Sequence, residues 1–207
     1  MLFCVRVFLM SVSPSSQIGL PTVSAQTFYP LGTVRCTGPA VFRSQLARDV
    51  GCILDVDDDI VGWSCMSISL TDGESFHRPD FVVERNDITF LVDVTSEGSL
   101  PSWIRQAAKL AGYHHETISR TALPQIRVKN AKDLLRYAKF EAALSDRIRL
   151  LAALDEHGSL SVAECLNAFQ ETKPIAGLAS LVLHRFITMD LDDALIGPET
   201  QVRRKRD

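Results

Sequence analysis

The sequence predicts an α/β domain, a mixed sheet flanked by helices, followed by a small helical domain that ends in a hairpin. Three observations predict it. Between residues 42 and 119 one helical pattern gives way to three strand-like runs, then to a helix and a further strand. From Ser145 onward the chain divides into short capped helices and finishes in strict alternation. The composition, 46% hydrophobic and 23% charged over 207 residues, suits a chain that buries a core without disulfide or metal staples.

Residues 1–33 are expected to be a poorly ordered leader. Residues 11–33 are rich in Ser, Thr, Pro and Gly, and no Asp or Glu occurs before Asp49. A signal peptide cleaved near Val23-Ser24-Ala25 is the competing reading. Against it, the apolar run of Met1 to Met10 is short and no charged segment precedes it. From Phe42, apolar residues recur as Phe42, Leu46, Val50, Ile53 and Leu54, the spacing of a helix. Asp55, Asp57 and Asp59 follow. They are not a calcium loop, because Ile60 stands where that loop needs Gly and Met66 where it needs Glu.

Strands are expected over 63–70, 76–83 and 88–94. Thr71-Asp72-Gly73-Glu74 and residues 84–87 are the turns between them. A helix over 102–112 stops at Gly112, and a strand near 115–119 completes the domain. After Pro124 a helix is expected over 131–144. Ser145 then opens a helix ending at Gly158, Ser161 and Glu164 form a capping box, and Pro174 sits in the first turn of a third helix. Ile187, Met189 and Leu191 alternate with Thr188 and Asp190, and residues 195–202 return. Three short helices and a hairpin form the winged-helix pattern. The expected division is 34–144 and 145–207.

The chemistry is expected in His77-Arg78-Pro79-Asp80-Phe81 and Leu91-Val92-Asp93-Val94-Thr95. Two carboxylates on adjacent antiparallel strands, each flanked by buried residues, need a counter-charge or a hydrogen-bond network. A shared divalent cation is one way to supply it. This arrangement resembles the PD-(D/E)-x-K nuclease superfamily, whose fold is restriction-endonuclease-like. Ser44-Gln45-Leu46-Ala47-Arg48-Asp49, Arg78-Pro79-Asp80-Phe81, Leu91-Val92-Asp93-Val94 and Leu134-Leu135-Arg136-Tyr137 resemble the TnsA-type transposon endonucleases, which also carry a C-terminal winged helix.

The resemblance implies an Mg²⁺-dependent DNA endonuclease subunit of a heteromeric transposase, with transposon-end DNA and a partner transposase as its partners. It implies Asp80 and Asp93 as metal ligands. Two family positions are changed. Thr95 replaces the Lys that orients the attacking water, and the first-helix Glu falls on Arg43 or Ala47. Lys109 is the nearby candidate for a displaced Lys. Catalysis is therefore expected to be weakened. A non-catalytic transposition adaptor and a winged-helix regulator are the alternatives.

Other features have simpler readings. His77 reads as a strand-edge residue and Trp103 as core. His114-His115-Glu116 is not a zinc-protease motif. The tail Arg203-Arg204-Lys205-Arg206 is either a phosphate grip or a frayed end. A net charge of −3 argues against coating nucleic acid by charge alone. Residues 145–207 hold ten acids and eight bases, a net of −2, so the last domain is expected to contact protein more than DNA. Five cysteines without a C-x-x-C suit reduced thiols in a cytoplasm, and no apolar run is long enough for a membrane span.

Overall fold

The computed structural model describes residues 32–96 and 99–206; most of the expected leader, residues 1–31, lies outside them. The described chain forms two compact units that divide between Leu123 and Pro124, with the short segment before Arg35 belonging to the second.

In the first unit, helix α1 (Gln45–Val56) begins where the Ser44 side chain accepts the Ala47 N–H, an N-cap. Its face of Leu46, Ala47, Val50 and Leu54 is buried. Strand β1 (Ile60–Cys65) follows. The acidic stretch between them is structural: buried Asp55 accepts the Trp63 indole N–H at 3.0 Å and the Arg35 N–H at 2.9 Å. The expected 63–70 strand is shorter and starts earlier than predicted. Positive φ at Met66 ends it, and Leu70–Thr71 (β2) pairs instead with Phe76–His77 (β3) across the Asp72-Gly73 turn.

The expected 76–83 strand is likewise divided. Pro79 has no N–H to give a ladder, and pairing resumes only at Phe81–Arg85, β4. Asn86 and Asp87, both at positive φ, turn the chain into β5 (Ile88–Thr95). Helix α2 (Ser102–Leu110) then crosses to β6 (His114–Ser119), which lies parallel to β5. The sheet order is β1-β4-β5-β6, antiparallel except for the last pair. It is a mixed sheet flanked by helices, as expected.

Alternation sorts the two faces. Leu91 packs with Ile104, Ala107 and Ala108 of α2 and with Leu70. Phe81 and Val83 face the other way, where the Phe81, Trp63 and Phe42 rings pack tilted or edge-on with centroids 5.6–6.2 Å apart.

The second unit starts earlier than the 144/145 boundary expected. Its first helix, α3 (Gln125–Leu135), begins directly after Pro124 rather than at 131, and packs on α6 (Pro174–Leu183). Between them lie α4 (Leu144–His157), stopped by Gly158 at φ 78, then β7 (Leu160–Ser161) and α5 (Val162–Cys165). The α4 cap is Ala143 rather than the expected Ser145, and the Ser161–Glu164 capping box forms as expected. Strands β8 (Ile187–Met189) and β9 (Gln201–Arg204) complete a sheet of order β7-β9-β8. Arg203 and Arg204 of the basic tail therefore lie in a strand.

Buried Asp146 accepts the N–H groups of Gln170 and Thr172 and an Arg149 guanidinium. Burial opposes its charge, but these bonds prevail and hold the carboxyl well below its usual range.

Asn130 ties α3 to the loop after β8. Its Nδ2 donates to the carbonyls of Leu191 at 2.9 Å and Ala194 at 2.8 Å, and its Oδ1 accepts the Ile196 N–H at 3.0 Å. Asn130→Ala strands these partners and is expected to destabilise the second unit by about 2–3 kcal/mol. Urea unfolding followed by circular dichroism checks this, and an unchanged midpoint would refute it. Among the described residues no helix is long and apolar enough to cross a membrane.

Candidate functional site

Phe81 pairs with Val92 at the last β4–β5 rung, so one further step along the ladder sets Asp80 opposite Asp93. The hairpin thus brings together the two carboxylates that the sequence singles out. Both are buried, 6% and 3% exposed. Both line one cleft of about 360 Å³ with Arg43, Ser44, Gln45, Leu46, His77, Val94, Ser96, Leu100 and Arg120.

Asp80 lies one residue before β4, and its Oδ2 accepts the Val94 N–H at 2.8 Å, taking the place of a ladder carbonyl. Arg43, just ahead of α1, brings its Nη1 to 3.6 Å from Asp80 Oδ1, and its Nη2 donates to the Arg78 carbonyl. Burial pushes the Asp80 carboxyl up. The Val94 N–H and the Arg43 charge oppose that rise without cancelling it, and Asp93 adds to it.

Asp93 has a different environment. Its Oδ2 accepts from two imidazoles, His77 Nε2 and His115 Nε2, each at 2.9 Å. His115 is in register with Leu91 on β6, which places it on the same face as Asp93, one diagonal step away. Its side chain is 3% exposed, and its Nδ1 is buried with no hydrogen-bond partner among the described residues. Burial alone would raise the Asp93 carboxyl; the bonds from His115 and His77 reverse this and hold it at about 2.

No family model matches the chain, and no curated protein matches it.

The remaining predicted site residues stand apart from the cleft wall. Thr95 shares the face of Asp93 by alternation, but neither it nor Lys109 lines the cleft among the described residues. Lys109 is exposed on α2, whose buried residues are Ile104, Ala107 and Ala108. Ala47 is 1% exposed in the core face of α1, so Arg43 is the first-helix position that faces the site.

Sequence reasoning passed over His77 as an edge residue and His115 as an unproductive motif. His77 could have been flagged by its place beside the Pro-Asp pair. His115 carries no such local signal, because its role depends on the parallel β5–β6 register. Trp103 is partly buried against the α2 core, as expected, and meets the His77 ring edge-on.

A hard Mg²⁺ ion prefers six oxygen ligands in octahedral order. Here two carboxylates face the cleft. One is engaged by a guanidinium and the other by two imidazoles. Among the described residues no group of three or more His, Cys, Asp or Glu side chains is arranged to hold a metal ion. In this arrangement the donor set does not fit Mg²⁺. Beside the two carboxylates, the cleft is lined by two arginines, Arg43 and Arg120, and two serines, Ser44 and Ser96.

Proposed function

We propose that this chain is an endonuclease-like subunit of a DNA-transposition apparatus whose cleft grips the phosphodiester backbone of transposon ends without cutting it. The fold assigned to the first unit is restriction-endonuclease-like. A mixed sheet flanked by helices, with Pro79-Asp80 leading one strand and Asp93 on the next, supports that assignment.

One observation carries the non-cutting part of the reading. The Arg43 guanidinium lies against Asp80, where the nuclease resemblance calls for a carboxylate and a metal ion. A fixed organic cation neutralises charge but has no exchangeable water to activate. The second unit is assigned as a winged helix that contacts the partner transposase. Its helices α4, α5 and α6 and the β8–β9 hairpin support this, as do Asp190 and Asp193 on the loop after β8, which would repel a DNA backbone, while Asp192 is paired with Arg127.

Binding of duplex DNA by the full chain, measured by fluorescence anisotropy across a salt series, tests the proposal. Binding should not require Mg²⁺ and should persist in EDTA, with Mg²⁺ weakening it only as a competing counterion. Arg43→Ala and Arg120→Ala should each weaken binding about tenfold and lower the salt slope by about one. Absence of binding, or binding that depends on Mg²⁺, would overturn it.

A further inference from the structure

Cys36 and Cys65 are far apart in the chain and adjacent in the fold. Cys36 forms a parallel bridge to Trp63, with Thr37 N–H donating to the Trp63 carbonyl at 2.7 Å and Trp63 N–H to the Arg35 carbonyl at 3.1 Å. Residues bridged in this way point to one side, and Cys65 is two positions beyond Trp63 on β1, so alternation returns it to the Cys36 side. The Cys36 side chain, whose Sγ lies 3.8 Å from the Gly38 carbonyl oxygen, can turn its single S–H to either that oxygen or the Cys65 sulfur. Neither is in a disulfide, and both are half-buried and within reach of a small reagent.

The other described cysteines differ. Cys52 is buried within α1. Cys165 is fully buried, and burial pushes its thiol up to about 11.

We propose that Cys36 and Cys65 are a redox-modifiable pair that closes reversibly to a disulfide when a peroxide is the oxidant. Cys65 is the attacking sulfur. The hydrogen bonds from Cys36 and from the Val41 backbone together lower its thiol below the ordinary value, against burial and the nearby Asp80 charge. The Cys65 thiolate attacks one peroxide oxygen, the O–O bond breaks, and a sulfenic acid and one water form. The Cys36 sulfur then attacks the Cys65 sulfur. The S–S bond forms, the S–O bond breaks, and a second water leaves with the Cys36 proton. Two thiols and one peroxide become one disulfide and two waters, and a small dithiol reverses the change.

The bridge has a structural consequence at the cleft. It closes the segment that carries Arg43 and α1 onto the end of β1. There Cys65 is paired with Phe81, and the next residue, Met66, donates its N–H to the Asp80 carbonyl at 3.0 Å. Oxidation therefore ties the backbone on which Arg43 is mounted to the strand end beside Asp80.

The test treats the native full-length chain with a small excess of hydrogen peroxide and maps its peptides without reduction. A Cys36–Cys65 cross-link is expected, with loss of two of the five thiols and full recovery in dithiothreitol. Cys36→Ser should leave Cys65 as a sulfenic acid that dimedone traps. Cys65→Ser should leave Cys36 reduced at the same dose. The oxidised chain should also unfold at higher urea than the reduced one. A cross-link involving Cys4, a Cys36–Cys65 link formed only in denaturant, or no thiol loss at all would each overturn the proposal.

Discussion

A chain carrying Arg43→Glu and Thr95→Lys together is expected to nick supercoiled DNA in Mg²⁺ at least about 10²-fold faster than the unmodified chain. A positioned acid–base or polarising group contributes ~10²–10⁴ in rate, and the double change adds such a group as well as a metal ligand. Arg43 is the position to alter because it faces Asp80 from the cleft wall. Glutamate at Ala47 would bury a charge in the α1 core, since Ala47 is 1% exposed. Threonine at 95 is on the face of Asp93 but does not line the cleft, and the four-carbon stem of lysine extends the reach of that position. Asp80→Ala on the doubly changed background should remove the gain. Nicking by the unmodified chain at the rate of the double variant would show that Arg43 does not block the site. A silent double variant that still binds DNA would show that the Asp80–Asp93 pair is not a latent metal site.

The second large effect is a pair of opposite stability changes at the same two carboxylates. Asp93 lies at about 2 in the folded chain against an ordinary 3.8. A depressed carboxyl stabilises the fold above the unfolded value and loses that contribution as pH falls from near 4 toward 2. The gap corresponds to about 2 kcal/mol, or about 1–2 kcal/mol once solvent screening at the cleft is allowed for. Asp93→Asn also weakens the acceptor for two imidazoles, and among the described residues His115 has no partner at Nδ1. That substitution is expected to cost about 2–3 kcal/mol at neutral pH.

Asp80 behaves in the reverse sense. Its folded value is raised, so its contribution is full below the unfolded value and is lost as pH rises through the folded one. Asp80→Asn should therefore raise the Tm at neutral pH while Asp93→Asn lowers it. Thermal melts of both variants at pH 7 and pH 4 measure this, and shifts of the same sign at pH 7 would refute it.

Much of the fold is legible in the residues because it depends on near neighbours. The Ser44 N-cap, the Ser161–Glu164 capping box, Pro174 in the first turn of α6 and the Gly158 stop involve partners within a few positions. The alternation of β4 and β5 and their tight Asn86-Asp87 turn do as well. That turn sets the register, and the register places Asp80 opposite Asp93, so the centre of the candidate site is also a local property of one hairpin.

What surrounds those carboxylates was decided by tertiary structure alone. Arg43 reaches Asp80 because α1 begins at the edge of the cleft, and His115 reaches Asp93 because β6 pairs parallel to β5 after the α2 crossover. Neither contact has a period or spacing that a linear pattern can carry. The place of α3 has the same origin. Pro124 marks where the helix starts, but its membership of the second unit comes from packing against α6 and from the Asn130 bonds to a loop more than sixty residues on. The hairpin sequence specified which carboxylates meet; long-range packing specified that they meet a guanidinium and two imidazoles.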